Sequence, residues 1–105
     1  DKLIELLSNT SVKGQQQDLE DTLLLIRAYA DTGKFQPAKT LCEEALIKYD
    51  RSAILHYLYG MILEELKMGD RAISEYRNCL TIDANFVLAH YQLGNALLKN
   101  SQPLE

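Results

Sequence analysis

Two histidines, two cysteines and two pairs of adjacent glutamates are the side chains of this 105-residue sequence best equipped for chemistry. Histidine can shuttle protons or bind a metal, and cysteine can act as a nucleophile or soft ligand. Cys42 and Cys79 are far apart in the chain, with neither a Cys-x-x-Cys unit nor metal-ligand spacing to a histidine. Neither a zinc site nor a disulfide framework follows. Both fall where a helix face calls for a small apolar residue, and a free cysteine is among the most buried residue types. His56 and His90 stand at equivalent places of an internal repeat. A packing residue recurs once per structural unit, whereas a catalytic residue has no reason to. Glu43-Glu44 and Glu64-Glu65 are neighbours on helices, so their side chains point about 100° apart and read as solvated faces, not as an acid and base converging on one substrate. The five glycines form no phosphate-cradling loop. The sequence therefore offers no catalytic residue, no metal site and no cofactor site.

Charge and composition narrow the class further. Eleven basic and fifteen acidic side chains leave a net charge of -4, so there is no basic field for a phosphate backbone and nucleic acid is excluded as a partner. Hydrophobic residues make up 47% and charged residues 25%, which suits a folded chain. Two prolines and five glycines are too few for frequent strand turns. The apolar run 23–26 is far short of the roughly 18 residues that cross a bilayer, and no secretory leader is visible. Free cysteines and no membrane segment lead to the expectation of a cytoplasmic protein.

The elements that must position these residues are helices. Apolar residues recur at i, i+3, i+4 and i+7 over 18–31, 36–49, 53–68, 71–82 and 86–99. The breaks between them carry turn residues: Asp31-Thr32-Gly33-Lys34, Asp50-Arg51-Ser52, Gly69-Asp70 and Asp83-Ala84-Asn85. Residues 1–7 read as a short amphipathic helix followed by a linker, either a cap in which Leu3, Ile4, Leu6 and Leu7 pack on the first unit or a frayed tail.

Sliding the sequence along itself until His56-Tyr57 meets His90-Tyr91 also brings Gly60 onto Gly94, Leu63 onto Leu97, Ala38 onto Ala72 and Leu46 onto Leu80. The pattern His56-x2-Tyr59-Gly60-x2-Leu63, then Ala72-x3-Tyr76, resembles the tetratricopeptide repeat, whose period of 34 equals this shift. An incomplete copy reads His90-x2-Leu93-Gly94-x2-Leu97, and another reads Thr22-x2-Leu25-Ile26-x2-Tyr29, then Ala38-x3-Cys42. Ile26 departs from the small residue usual at its place, which predicts looser packing there. Ala84 and Asp50 stand where the family has proline. Gly33 lies five residues before its alanine and Gly69 three, which predicts that the second unit's first helix runs about half a turn further.

The resemblance implies an all-α fold of antiparallel helix-turn-helix units stacked in a right-handed superhelix. The units are a leader over 1–18, repeats over 19–52 and 53–86, and the first helix of a third over 87–105. The third unit lacks its second helix, which predicts a piece of a longer protein whose open Leu93/Leu97 side meets a missing helix or self-associates. First helices would line a concave groove for a protein or peptide segment. Leu23, Arg27, Tyr57, Met61, Glu64, Tyr91, Gln92 and Asn95 are the candidate groove residues, a mixture of aromatic, Met and Arg suited to an interface. Tyr57 and Tyr91 are equally readable as internal packing. The family's clamp for chaperone C-terminal carboxylates is not formed, because its places hold Leu23, Arg27, Leu58, Leu88 and Gln92.

A narrower likeness lies in Leu55-His56-Tyr57-Leu58-Tyr59-Gly60-Met61-Ile62-Leu63-Glu64-Glu65-Leu66 together with Asn85-Phe86-Val87-Leu88-Ala89-His90-Tyr91-Gln92-Leu93-Gly94-Asn95. It is similar to the C-terminal repeats of bacterial chemotaxis-type methyltransferases, which methylate receptor glutamates from S-adenosylmethionine. The likeness implies a non-catalytic regulatory or docking module that engages a chemoreceptor, a signalling protein or its own enzyme's catalytic domain. The alternative is a generic repeat scaffold, or a self-association module, of an unrelated bacterial signalling protein.

Overall fold

A computed structural model describes residues 19–101. The predicted N-terminal helix and linker lie outside the described residues. Five helices follow one another: α1 (Leu19–Asp31), α2 (Phe35–Lys48), α3 (Ala53–Glu65), α4 (Gly69–Ile82) and α5 (Val87–Ser101). Among the described residues there is no strand. Each helix packs on the next and α1 also touches α3, so the helices form a row of pairs measuring 50 × 29 × 19 Å.

The repeat period governs the backbone as well as the side chains. First helices start at Leu19, Ala53 and Val87, and second helices at Phe35 and Gly69. α1 and α3 are both 13 residues long, so the predicted half-turn extension of α3 does not occur. The helix-ending residue explains why. Gly33 adopts a left-handed φ of 79°, and Lys67, its counterpart in the next unit, adopts 65°. At both places the chain makes the same closing bonds. Lys34 N–H donates to the Tyr29 carbonyl at 2.8 Å and Gly33 N–H to Ala30 at 3.0 Å, while Met68 N–H donates to Leu63 at 2.9 Å and Lys67 N–H to Glu64 at 3.0 Å. This paired bonding satisfies carbonyls that a helix end would leave orphaned. Gly69, expected to stop α3, instead opens α4 and corresponds to Phe35 of the first unit.

Entry into α3 is capped by Ser52, whose Oγ accepts from Leu55 N–H at 3.2 Å. The core runs along the row: Ile26, Ala38, Cys42, Leu55, Leu63, Ala72, Tyr76, Cys79 and Ala89 are all wholly buried. Small and large residues alternate across it. Gly60 has so little space that a Cβ there would lie 2.6 Å from Cε1 and 2.8 Å from Cδ1 of Tyr76. The first unit exchanges the partners, with Ile26 in the place of Gly60 and Cys42 in the place of Tyr76, both wholly buried. Ile26 thus fills the volume that Tyr76 takes in the second unit, which keeps this place closed where looser packing was expected.

Candidate functional site

The groups best equipped for chemistry are held in structural roles. His56 Nε2 donates to the Asp50 carbonyl at 2.9 Å, and His90 Nε2 makes the corresponding bond to Ala84 at 2.8 Å. Each histidine thereby fastens the turn six residues behind it, at the place where the family has proline. His56 Nδ1 also meets Glu75 Oε1 at 2.6 Å. Since a carbonyl only accepts, Nε2 carries a proton, and both ring nitrogens are engaged in structural contacts. Cys42 and Cys79 are free and buried. Burial, with Glu43 and Glu75 adding repulsion, pushes the Cys42 thiol up to about 12. Burial first and Asp83 second raise Cys79 to about 11. Neither supplies a thiolate at neutral pH.

The glutamate pairs divide in a way their adjacency conceals. Glu44 and Glu65 are exposed, as solvated faces require. Their neighbours are not free. Tyr59 Oη donates to Glu43 at 2.8 Å, and Arg71 donates to the same phenol oxygen at 2.7 Å. Lys39 stands 2.9 Å from Glu43, and its hydrogen bond, followed by that of Tyr59, holds the carboxyl below the usual range. Tyr76 Oη donates to Glu64 at 2.5 Å. A buried phenol needs an acceptor for its hydroxyl proton, and in each case that acceptor is a glutamate on the preceding helix. Both tyrosines are raised above the ordinary phenol range, by burial first and by their glutamates second.

The eight candidate groove residues do not form one surface. Tyr57 is only 7% exposed, its ring 5.1 Å from Phe86 and 6.2 Å from Tyr76, so it serves internal packing. Its counterpart Tyr91 is 64% exposed. Glu64 is committed to Tyr76, with Lys99 Nζ 3.9 Å from its other oxygen. It borders a cleft of ≈ 250 Å³ with Lys67, Gly69, Ala96, Lys99 and Asn100. Leu23 is half-buried against the core, Gln92 and Asn95 are half-buried on α5, and Arg27 is exposed without an ion pair among the described residues.

Met61 alone of the eight lies in a second cleft of ≈ 200 Å³ between the C-terminal ends of α1 and α3, lined by Ala30, Asp31, Phe35, Met61, Ile62 and Glu65. Asp31, Phe35 and Glu65 were not among the candidate groove residues; the sequence offered Asp31 only as a turn residue and Glu65 only as part of a solvated face. Asp31 and Glu65 were detectable in principle, since each is the last residue of a first helix in the same repeat register. Phe35 was not, because its counterpart is Gly69 and only the packing shows that its ring reaches the first-helix side. The cleft combines an apolar floor with a carboxylate from each helix, a setting for a peptide side chain with an apolar stem.

Among the described residues no group of His, Cys, Asp or Glu is placed to hold a metal ion. No helix among them is long and apolar enough to cross a membrane. No curated protein matches the chain. The family model of the tetratricopeptide repeat matches residues 53–86, which comprise α3, its closing turn, α4 and the loop to Phe86. With its helix pair in the repeat register, the glycine that admits Tyr76 and the turn-fastening histidine, this stretch of the chain is a tetratricopeptide repeat.

Proposed function

We propose that the protein is an interaction module that holds a protein or peptide segment along its first helices, centred on the cleft between α1 and α3. Tetratricopeptide repeats are interaction modules, and the observation that carries the reading here is the cleft itself. Met61 is 36% exposed on its floor, with Phe35 beside it and Asp31 and Glu65 at its rim. Arg27, Ile54 and Leu88 are exposed on the same set of first helices. An exposed apolar surface rimmed by charge is the composition of a binding site. A peptide-display selection on the wild-type protein, counter-screened with Met61→Asp and Arg27→Ala, tests it. Peptides that lose binding to Met61→Asp support the cleft, and a further loss with Arg27→Ala extends the site along the first helices. Peptides indifferent to both overturn it.

The likeness of α3 and α5 to the C-terminal repeats of chemotaxis-type methyltransferases supports a narrower reading. The module would dock such an enzyme on a bacterial chemoreceptor or signalling protein, or restrain its catalytic domain. Receptor cytoplasmic fragments and a catalytic domain of that class are the probes, and binding to neither removes this narrower reading. A cytoplasmic location, expected from the free cysteines, is part of this narrower reading.

A further inference from the structure

Both helices that frame the cleft between α1 and α3 end in an acid. Asp31 is the last residue of α1 and Glu65 the last of α3, and both line the cleft. A helix presents partial negative charge at its C-terminus, which a basic side chain in the last turn offsets. Lys48 on α2 and Lys99 on α5 stand in that place. The last turns of α1 and α3 hold no basic residue, and none lines the cleft. Two carboxylates and two helix ends therefore add their negative charge in one place. Neither carboxylate has an ion pair or a hydrogen bond among the described residues to offset it.

Size and lining decide which cation fits. At ≈ 200 Å³ the cleft is smaller than the pockets of about 300–1,000 Å³ that hold small molecules, so it admits a single side chain. Ala30, Phe35, Met61 and Ile62 supply apolar surface, from which a bare ion would gain nothing. Arginine and lysine divide in the matching way, with a hydrocarbon stem that packs on apolar surface and a charged head that stays in water. Asp31 and Glu65 are both exposed, which places their charge where such a head would lie. A net charge of -4 also favours the approach of a basic segment over an acidic one.

We propose that the cleft selects one arginine or lysine side chain of the bound segment, its stem on Met61 and Phe35 and its cationic head between Asp31 and Glu65. The choice of side chain rests on the cleft being the peptide site, and two readouts keep the two apart. Methyl carbon-13 spectra report occupancy, since Met61 lines the cleft and Met68 does not. Variants of the carboxylates report charge. The probes are dodecapeptides selected from a random display library on the intact chain. Those that shift the Met61 methyl and leave that of Met68 are expected to share an arginine or lysine. Exchanging that residue for methionine, which keeps an apolar stem, should weaken binding about fivefold or more. Asp31→Asn and Glu65→Gln should each weaken it about two- to fivefold. Binding should also fall with added salt as the Debye length shrinks from about 10 Å at 0.1 M to about 3 Å at 1 M. The Tm of both variants should be held or raised, because each removes a like charge from its own helix end. Lost affinity with a lowered Tm would assign the carboxylates to structure and overturn the proposal. Peptides that shift Met61 without a shared basic residue, or that bind both variants as tightly as the wild type, overturn it and leave the cleft reading standing. A selection in which no peptide shifts Met61 overturns both.

Discussion

Replacing Gly60 by alanine tests the central packing claim, because the same change at Gly94 supplies an internal control. In an unobstructed helix the exchange stabilises by about 0.5–1 kcal/mol, since glycine loses more backbone entropy on folding. At Gly60 the new methyl would lie 2.6 Å from a ring carbon of Tyr76. That ring cannot swing aside: it is wholly buried, packed against Tyr57, and tied through its hydroxyl to Glu64 at 2.5 Å. Overpacking of this kind costs about 1–3 kcal/mol. The balance is a loss of up to about 2.5 kcal/mol for Gly60→Ala, against a gain of about 0.5–1 kcal/mol for Gly94→Ala, which meets nothing within 4 Å. Urea unfolding followed by circular dichroism resolves a difference of this size. The first repeat suggests a rescue, since it pairs Ile26 with Cys42 at the corresponding places. Gly60→Ile and Tyr76→Cys should each be severe alone and less than additive together, with a coupling of about 1 kcal/mol or more. Gly60→Ala at or above wild-type stability would refute the reasoning, as would equal losses at Gly60 and Gly94.

Lys67→Gly should stabilise the protein by about 1 kcal/mol, because a lysine at φ 65° bears a left-handed strain that glycine does not; an unchanged or lowered urea midpoint would count against the turn equivalence. Cys42 and Cys79 should resist a thiol reagent at pH 8 in the native protein and react once denaturant is added, so rapid native labelling would contradict their burial. Tyr59 and Tyr76 have folded-state values above the unfolded one, so their contribution is whole below about pH 10 and is lost as pH rises toward the folded values. Thermal melts should therefore decline above that pH, and less steeply in Tyr76→Phe. Glu43 has the opposite sign: its lowered value gives a contribution present above about pH 4.3 and lost as pH falls through the folded value. Glu43→Gln should flatten the acid limb, by a modest amount because that carboxylate is 40% exposed.

Side-chain order alone establishes the helical period, the repeat register and the succession of five helices. Those are local and periodic properties, written by side-chain type along one strip of each helix. Helix ends were less legible. Gly69 looks like a stop from its type, yet the stop is Lys67, because the backbone bonds that close α1 at Gly33 recur at the same register whatever side chain is there. Burial was not legible from pattern, since it depends on which neighbour occupies the space. Gly60 and Gly94 are the same residue at the same place, one against Tyr76 and the other open. Tyr57 and Tyr91 differ likewise, the first enclosed by Phe86 and Tyr76 and the second exposed. Which of two identical positions is core and which is surface is settled by packing in three dimensions. The same packing brings Phe35 and Met61 into one cleft, across units whose sequences say nothing of that meeting, because the register of a helix determines its faces but not what lies opposite them.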